Sequence, residues 1–133
     1  MSLKVMAAVS VCSTGASAIA QTLAQPSFTV DQARRGGETY ANECAACHGM
    51  HLDDGQFAVP LSGPAFKAHW GSGGLDGPFT VMTTMMPPSN PGGLGAPTYA
   101  DLLAFVLSNN GVAPSNNELP YDLEKLKGLA APK

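Results

Sequence analysis

The sequence predicts an all-α domain, a few helices joined by long loops. Two stretches place apolar residues at helical spacing, 31–47 and 98–111. The rest is rich in turn formers, yet the 15 Gly and 11 Pro of 133 residues stay below the share that signals disorder. One Trp, three Tyr and five Phe give a chain of this size only a modest core of its own.

Residues 1–20 read as a secretory signal peptide. A short start with one positive charge, Lys4, precedes an uncharged stretch rich in Ala, Val and Ser. Ala18-Ile19-Ala20 supplies a small-x-small cleavage pattern, with Ala18 and Ala24 as alternative sites. Ser10, Ser13, Thr14 and Gly15 make the stretch too short and polar for a membrane span, and no stable membrane insertion is expected. Cys12 leaves with this segment. It is a poor lipoprotein anchor, because Val9-Ser10-Val11 lacks the usual leucine and small-residue pattern. Residues 21–133 then form one domain. Without Lys4, six basic residues face ten acidic ones, which argues against nucleic-acid and membrane-surface partners, both of which favour basic patches.

Residues 21–29 read as a loose lead-in. Asp31 is the expected N-cap of a helix running toward Cys47. In it Ala33, Gly36 or Gly37, Tyr40, Ala41, Cys44 and Cys47 share one face. Glycine inside a helix costs about 1 kcal/mol relative to alanine, so Gly36-Gly37 implies either the close approach of another helix or a late helix start. Residues 49–77 hold Pro60, Pro64 and seven glycines and read mostly as loop, with Asp53-Asp54 as a turn. Phe57, Phe66, His69 and Trp70 lie in this stretch. A short helix over about 79–85 ends at Pro87, and Pro87 to Gly93 is turn chemistry. The clearest helix follows. Thr98 is its N-cap, with Asp101 three residues on in a capping-box-like pattern. Tyr99, Leu102, Leu103, Phe105, Val106 and Leu107 form a broad apolar face, and Asn109-Asn110-Gly111 is the stop. Residues 112–118 are a polar linker, and Leu123, Leu126 and Leu129 suggest a short final helix.

The chemistry concentrates in Cys44-Ala45-Ala46-Cys47-His48. Three residues apart on a helical turn, the two thiols share a face and can each add to a haem vinyl group, with the following imidazole placed to reach the iron. A bare CxxC has two other uses. A tetrahedral zinc site needs a second pair of ligands, but only Cys12, His51 and His69 remain. A redox dithiol wants a strand before its helix, whereas a helical pattern precedes Cys44.

With these residues the chain resembles the class I c-type cytochromes over about residues 31–111, with 112–133 as a C-terminal extension. Met86-Pro87-Pro88 and Pro91-Gly92-Gly93-Leu94 before a Tyr-containing helix look most like the cytochrome c domains associated with bacterial periplasmic dehydrogenases. The resemblance implies one haem (heme c) bound covalently through Cys44 and Cys47, with His48 as one axial ligand. It implies a near-perpendicular crossing of the first and last core helices at Gly36 and Tyr40 against Leu102 and Phe105. It further implies that the Pro60-Leu61 loop accepts a hydrogen bond from the imidazole. The second axial ligand is a methionine before a proline, which fits Met86. Met85, Met82, His69 and an open site are the alternatives, while Met50 and His51 follow His48 too closely. Arg34, Arg35, His69 and the Trp70 indole are candidates for a haem carboxylate contact, each with a plainer reading as surface or core.

The function so implied is electron transfer by a soluble periplasmic carrier, not an enzyme. Its partners would be redox proteins, such as a periplasmic dehydrogenase and a terminal oxidase or other acceptor. A fixed subunit of a dehydrogenase complex is the alternative. A haem enzyme or gas sensor with an open sixth position is a further one.

Overall fold

The computed structural model describes residues 22–133; the expected signal peptide and Cys12 lie outside them. The described residues form helices α1 (Val30–Glu43), α2 (Ala45–His48), α3 (Gly63–Trp70), α4 (Asp76–Met85), α5 (Ala96–Ser108) and α6 (Leu123–Lys127). Their only β pairing is two isolated bridges, Ala24 with Leu129 and Gly74 with Ala130. The all-α expectation holds for this region. None of these helices is long and apolar enough to cross a membrane.

The packing of α1 against α5 organises the domain. Gly36 is glycine because a Cβ there would overlap the Asp101 carbonyl and come within 2.9 Å of Phe105 Cβ. The close helix approach implied by Gly36-Gly37 is therefore present. One turn on, the Tyr40 and Phe105 rings sit with centroids 5.2 Å apart, and Leu102 of α5 is buried. At the edge of this seam the Arg35 guanidinium grips both carboxylate oxygens of Asp101 at 2.9 Å and reaches Glu118 at 2.7 Å.

Both caps differ from expectation. Thr29, not Asp31, caps α1: its Oγ1 accepts the Gln32 N–H at 3.1 Å, and Asp31 sits in the first turn where the helix dipole favours an anion. Gly95, not Thr98, precedes α5, and Pro97 stands in its first turn. Asp101 is drawn into the Arg35 pair instead of a capping box.

Helix α3 was hidden in the stretch read as loop. Pro64 stands at its start, a position a helix tolerates, and Phe66 is its one buried residue. Helix α4 also begins earlier than expected, at Asp76. Residues 22–29 are not loose. Phe28 is fully buried, its carbonyl takes the Ser115 N–H at 2.7 Å, and Ala24 bonds Gly128 and Ala130 in the tail. The Gln32 amide pairs with both backbone groups of Leu119, at 3.0 and 2.6 Å. Leu126, on the expected short helix α6, is buried, and its carbonyl meets the Leu75 N–H at 3.1 Å. The C-terminal extension is thus fastened across α1 and α4.

Candidate cofactor site

Helix α1 stops at Glu43 because Cys44 leaves helical geometry, at φ −124°, ψ −36°. The single helix expected to reach Cys47 is therefore two. After the break the Cys44 carbonyl accepts the N–H of Cys47 at 3.1 Å and of His48 at 3.0 Å. Cys44, Cys47 and His48 thus share one helical turn, as their spacing predicts. Gly49, at φ +86°, closes it, a backbone conformation that favours glycine. The Tyr40 hydroxyl donates to the Gly49 carbonyl at 2.7 Å and ties the end of the turn back to α1.

This turn forms part of the wall of a cavity of about 240 Å³. The other walls come from the loop around Phe57 to Leu61, from Phe66 and Trp70 of α3, and from Pro78, Val81 and Met82 of α4. Met86, Pro87, Pro88 and Leu94 follow, then Tyr99, Leu102, Leu103 and Val106 of α5. The lining is overwhelmingly apolar, and Glu43 is its one charged residue. The lining suits a small-molecule or cofactor site.

His48 is only 7% exposed. Its Nδ1 lies 2.8 Å from the Val59 carbonyl. A carbonyl only accepts, so Nδ1 donates, and the tautomer of the neutral ring that this selects keeps its lone pair on Nε2. The proline-containing loop is the one expected, but the accepting carbonyl belongs to Val59, immediately before Pro60, and not to Pro60-Leu61.

Met86 and Met82 both line the cavity. Met85 does not: it is 57% exposed. The reason is helical geometry, since Met82 and Met86 are four residues apart and bracket α4's last turn, with the Met86 N–H on the Met82 carbonyl at 3.2 Å. His69 is exposed and stacks edge-on against Trp70, centroids 4.5 Å apart. Met50 and His51 are exposed and outside the lining. Arg34 and Arg35 are outside it too. Arg34 pairs with Glu38 at 2.6 Å, and Asp101 foremost, then Glu118, raise the Arg35 pKa further. Neither arginine is placed for a contact in this cavity, whereas Trp70 lines it.

Two features were not read from the sequence. Tyr99, taken as part of an apolar face, donates its hydroxyl to the Met86 carbonyl at 2.6 Å. Asn110, taken as a helix stop, is buried and fully hydrogen-bonded. The only hint was that each is a polar group beside a run of apolar residues.

The donor set discriminates between chemistries. Burial first, then Glu43 and Cys47, push the Cys44 thiol up to about 11. A thiol so protonated is a poor redox nucleophile, where catalytic CxxC pairs have lowered values. Among the described residues no group of three or more His, Cys, Asp or Glu side chains is placed to hold a metal ion. What remains is two thiols, an imidazole with Nε2 free and two thioethers around an apolar cavity. That set suits an apolar cofactor carrying a metal that accepts nitrogen and soft sulfur. Comparison with protein-family models, with curated proteins and with solved structures found no match to this chain.

Proposed function

We propose that this chain is a class I c-type cytochrome that carries electrons in the periplasm. The observation that carries this reading is the single helical turn bearing Cys44, Cys47 and His48 on the wall of an apolar cavity that Met86 also lines. Cys44 and Cys47 would hold one haem (heme c) through thioether links, and His48 Nε2 and the Met86 sulfur would hold its iron. When bound, the haem supplies a one-electron Fe(III)/Fe(II) couple.

The protein's own groups shape that couple. The Val59 carbonyl fixes the His48 tautomer and makes the ring a stronger donor. As an iron ligand the Met86 thioether, a soft donor, would pull the other way by favouring the reduced state. The apolar lining excludes water and penalises net positive charge, which again favours reduction. Tyr99 and the Gly92 N–H, at 2.6 and 3.4 Å, hold the Met86 carbonyl and so the chain that carries the thioether.

Electron exit needs a short path to a partner. Cys47 is exposed, and Phe57 and Val59, 82% and 71% exposed, also line the cavity. These residues would form an apolar landing area suited to a brief, small encounter with a redox protein. A periplasmic dehydrogenase as donor and a terminal oxidase or other carrier as acceptor fit this role. The residues at 1–20 would direct export.

The test is extraction of the purified protein with acid and acetone. Colour should stay with the polypeptide in wild type. Cys44→Ala/Cys47→Ala should lose it and should lose cooperative unfolding, because little else fills the cavity. Colour passing into the organic phase from wild type sinks the assignment.

A further inference from the structure

The carbonyl that receives the His48 Nδ1–H bond belongs to Val59, on the cavity wall. The Val59 side chain is largely exposed, and Pro60 is exposed and has no N–H to donate. The anchors of this peptide lie just downstream. The Leu61 N–H donates to the Leu52 carbonyl at 2.6 Å. The Leu61 carbonyl accepts from Asn110 Nδ2 at 2.9 Å, and Asn110 Oδ1 accepts the Gly63 N–H at 3.1 Å. One amide therefore grips the chain on both sides of Ser62. A third bond, from Nδ2 to the Val106 carbonyl at 2.8 Å, ties that amide to α5.

Asn110 is 5% exposed, so water is poorly placed to replace it. Nor is it needed to end the helix. Asn109 is the C-cap, and its side chain returns to the Phe105 carbonyl at 2.8 Å. The grip requires a donor and an acceptor on one short planar group, which asparagine supplies and aspartate, serine or leucine do not.

We propose that Asn110 is a positioning residue for His48. Its amide clamps residues 61–63 to the end of α5 and so keeps the Val59 carbonyl on His48 Nδ1. The redox consequence rests on the haem reading above; the clamp itself does not. With the carbonyl in place the imidazole is a stronger donor, which favours the oxidised state. Loosening the clamp should raise the midpoint potential, the opposite sign to removing a thioether ligand.

The experiment uses the full purified chain as wild type, Asn110→Ala, Asn110→Asp and Leu126→Ala. Leu126 is a buried residue of the C-terminal extension and serves as the control for general destabilisation. Two quantities are read, the midpoint potential and the solvent exchange of the His48 Nδ1–H by ¹⁵N NMR. Asn110→Ala should shift the oxidised-to-reduced ratio at fixed potential about threefold toward reduced, ~28 mV at roughly 59 mV per decade. It should also speed Nδ1–H exchange at least tenfold. Asn110→Asp keeps the acceptor for Gly63 and should fall between, and it carries the test if the alanine variant does not fold. Leu126→Ala should lower the unfolding midpoint and leave both readings at wild type. Wild-type readings in Asn110→Ala, or equal shifts in Leu126→Ala, overturn the proposal. If the wild-type chain retains no haem, the haem reading fails separately. The clamp then stands if Asn110→Ala, but not Leu126→Ala, speeds exchange, and falls if it does not.

Discussion

The two methionines and the Cys–His turn face the same cavity but are held by different means. On the turn, hydrogen bonds reach the functional groups or their immediate backbone: His48 Nδ1 to the Val59 carbonyl, Cys47 and His48 N–H to the Cys44 carbonyl, the Tyr40 hydroxyl to the Gly49 carbonyl. On the methionine side, bonds reach only the main chain, and the thioethers are placed by the geometry of α4's last turn. The first arrangement specifies one imidazole in one tautomer. The second offers two sulfurs, Met82 and Met86, and leaves the choice to packing. A local motif can fix chemistry within five residues, whereas a ligand contributed by a distant segment depends on how the whole chain folds back.

The sharpest way to break this comparison is to remove the sulfurs one at a time. Met86→Ala should abolish the weak charge-transfer absorption of thioether-ligated ferric haem, lower the potential and open the iron to cyanide or carbon monoxide. It should also cost about 2 kcal/mol, the low end for deleting a methionine that is only partly buried. Met82→Ala should keep the absorption and lose stability by packing alone. Met85→Ala, on an exposed side chain, should change none of these. Absorption lost in Met82→Ala and kept in Met86→Ala would reassign the ligand, and absorption absent from wild type would favour an open site.

The same contrast separates what could be read in the sequence from what could not. Gly36-Gly37 was legible as a close helix approach or a late helix start because glycine inside a helix is costly and demands a reason, whereas Tyr40 and Phe105 as the crossing partners came only with the family resemblance. Cys44, Cys47 and His48 were legible because their spacing alone puts them on one turn. The exclusion of Met85 follows from helical periodicity once α4 is known to reach Met85. The start of α4 was missed because Gly77 and Pro78 read as breakers, although a first turn accepts them. Helix α3 was missed for a similar reason, since Pro64 and Gly63 signal loop and initiation alike. Asp101 fitted a capping pattern but found Arg35, and nothing local announces a partner 66 residues away. Val59 acts through a carbonyl that any residue would supply, so its identity carried no signal.

A smaller effect sharpens the methionine side. Tyr99→Phe removes the hydroxyl bond to the Met86 carbonyl but leaves the longer Gly92 contact. The loss should be about 1 kcal/mol in urea unfolding, the usual net worth of such a bond. The thioether absorption should persist, while cyanide should bind the oxidised protein faster because the loop carrying Met86 opens more often. Unchanged cyanide kinetics would mean that packing alone restrains Met86.

The least conspicuous effect belongs to the Cys–His side and appears only at high pH. Burial, with smaller contributions from Cys44 and Asp54, pushes the Tyr40 phenol up to about 12 from its ordinary 10.0. An acid with a raised value holds its proton more tightly in the folded state than in the unfolded one. Below pH 10 both states are protonated and Tyr40's contribution is fully present. Between about pH 10 and 12 only the unfolded phenol ionises, so stability falls as pH rises through that window. Capture of Cys44 in a thioether would remove one of the lesser causes and leave burial, the largest, in place. Tyr40→Phe should be less stable than wild type at neutral pH, because the Gly49 carbonyl loses its 2.7 Å donor. Its urea midpoint should then fall less steeply above pH 10, so that the two curves converge. Parallel curves across that range would mean that Tyr40 reaches water without unfolding, and that the turn closing on Gly49 is looser than the hydrogen bond to α1 implies.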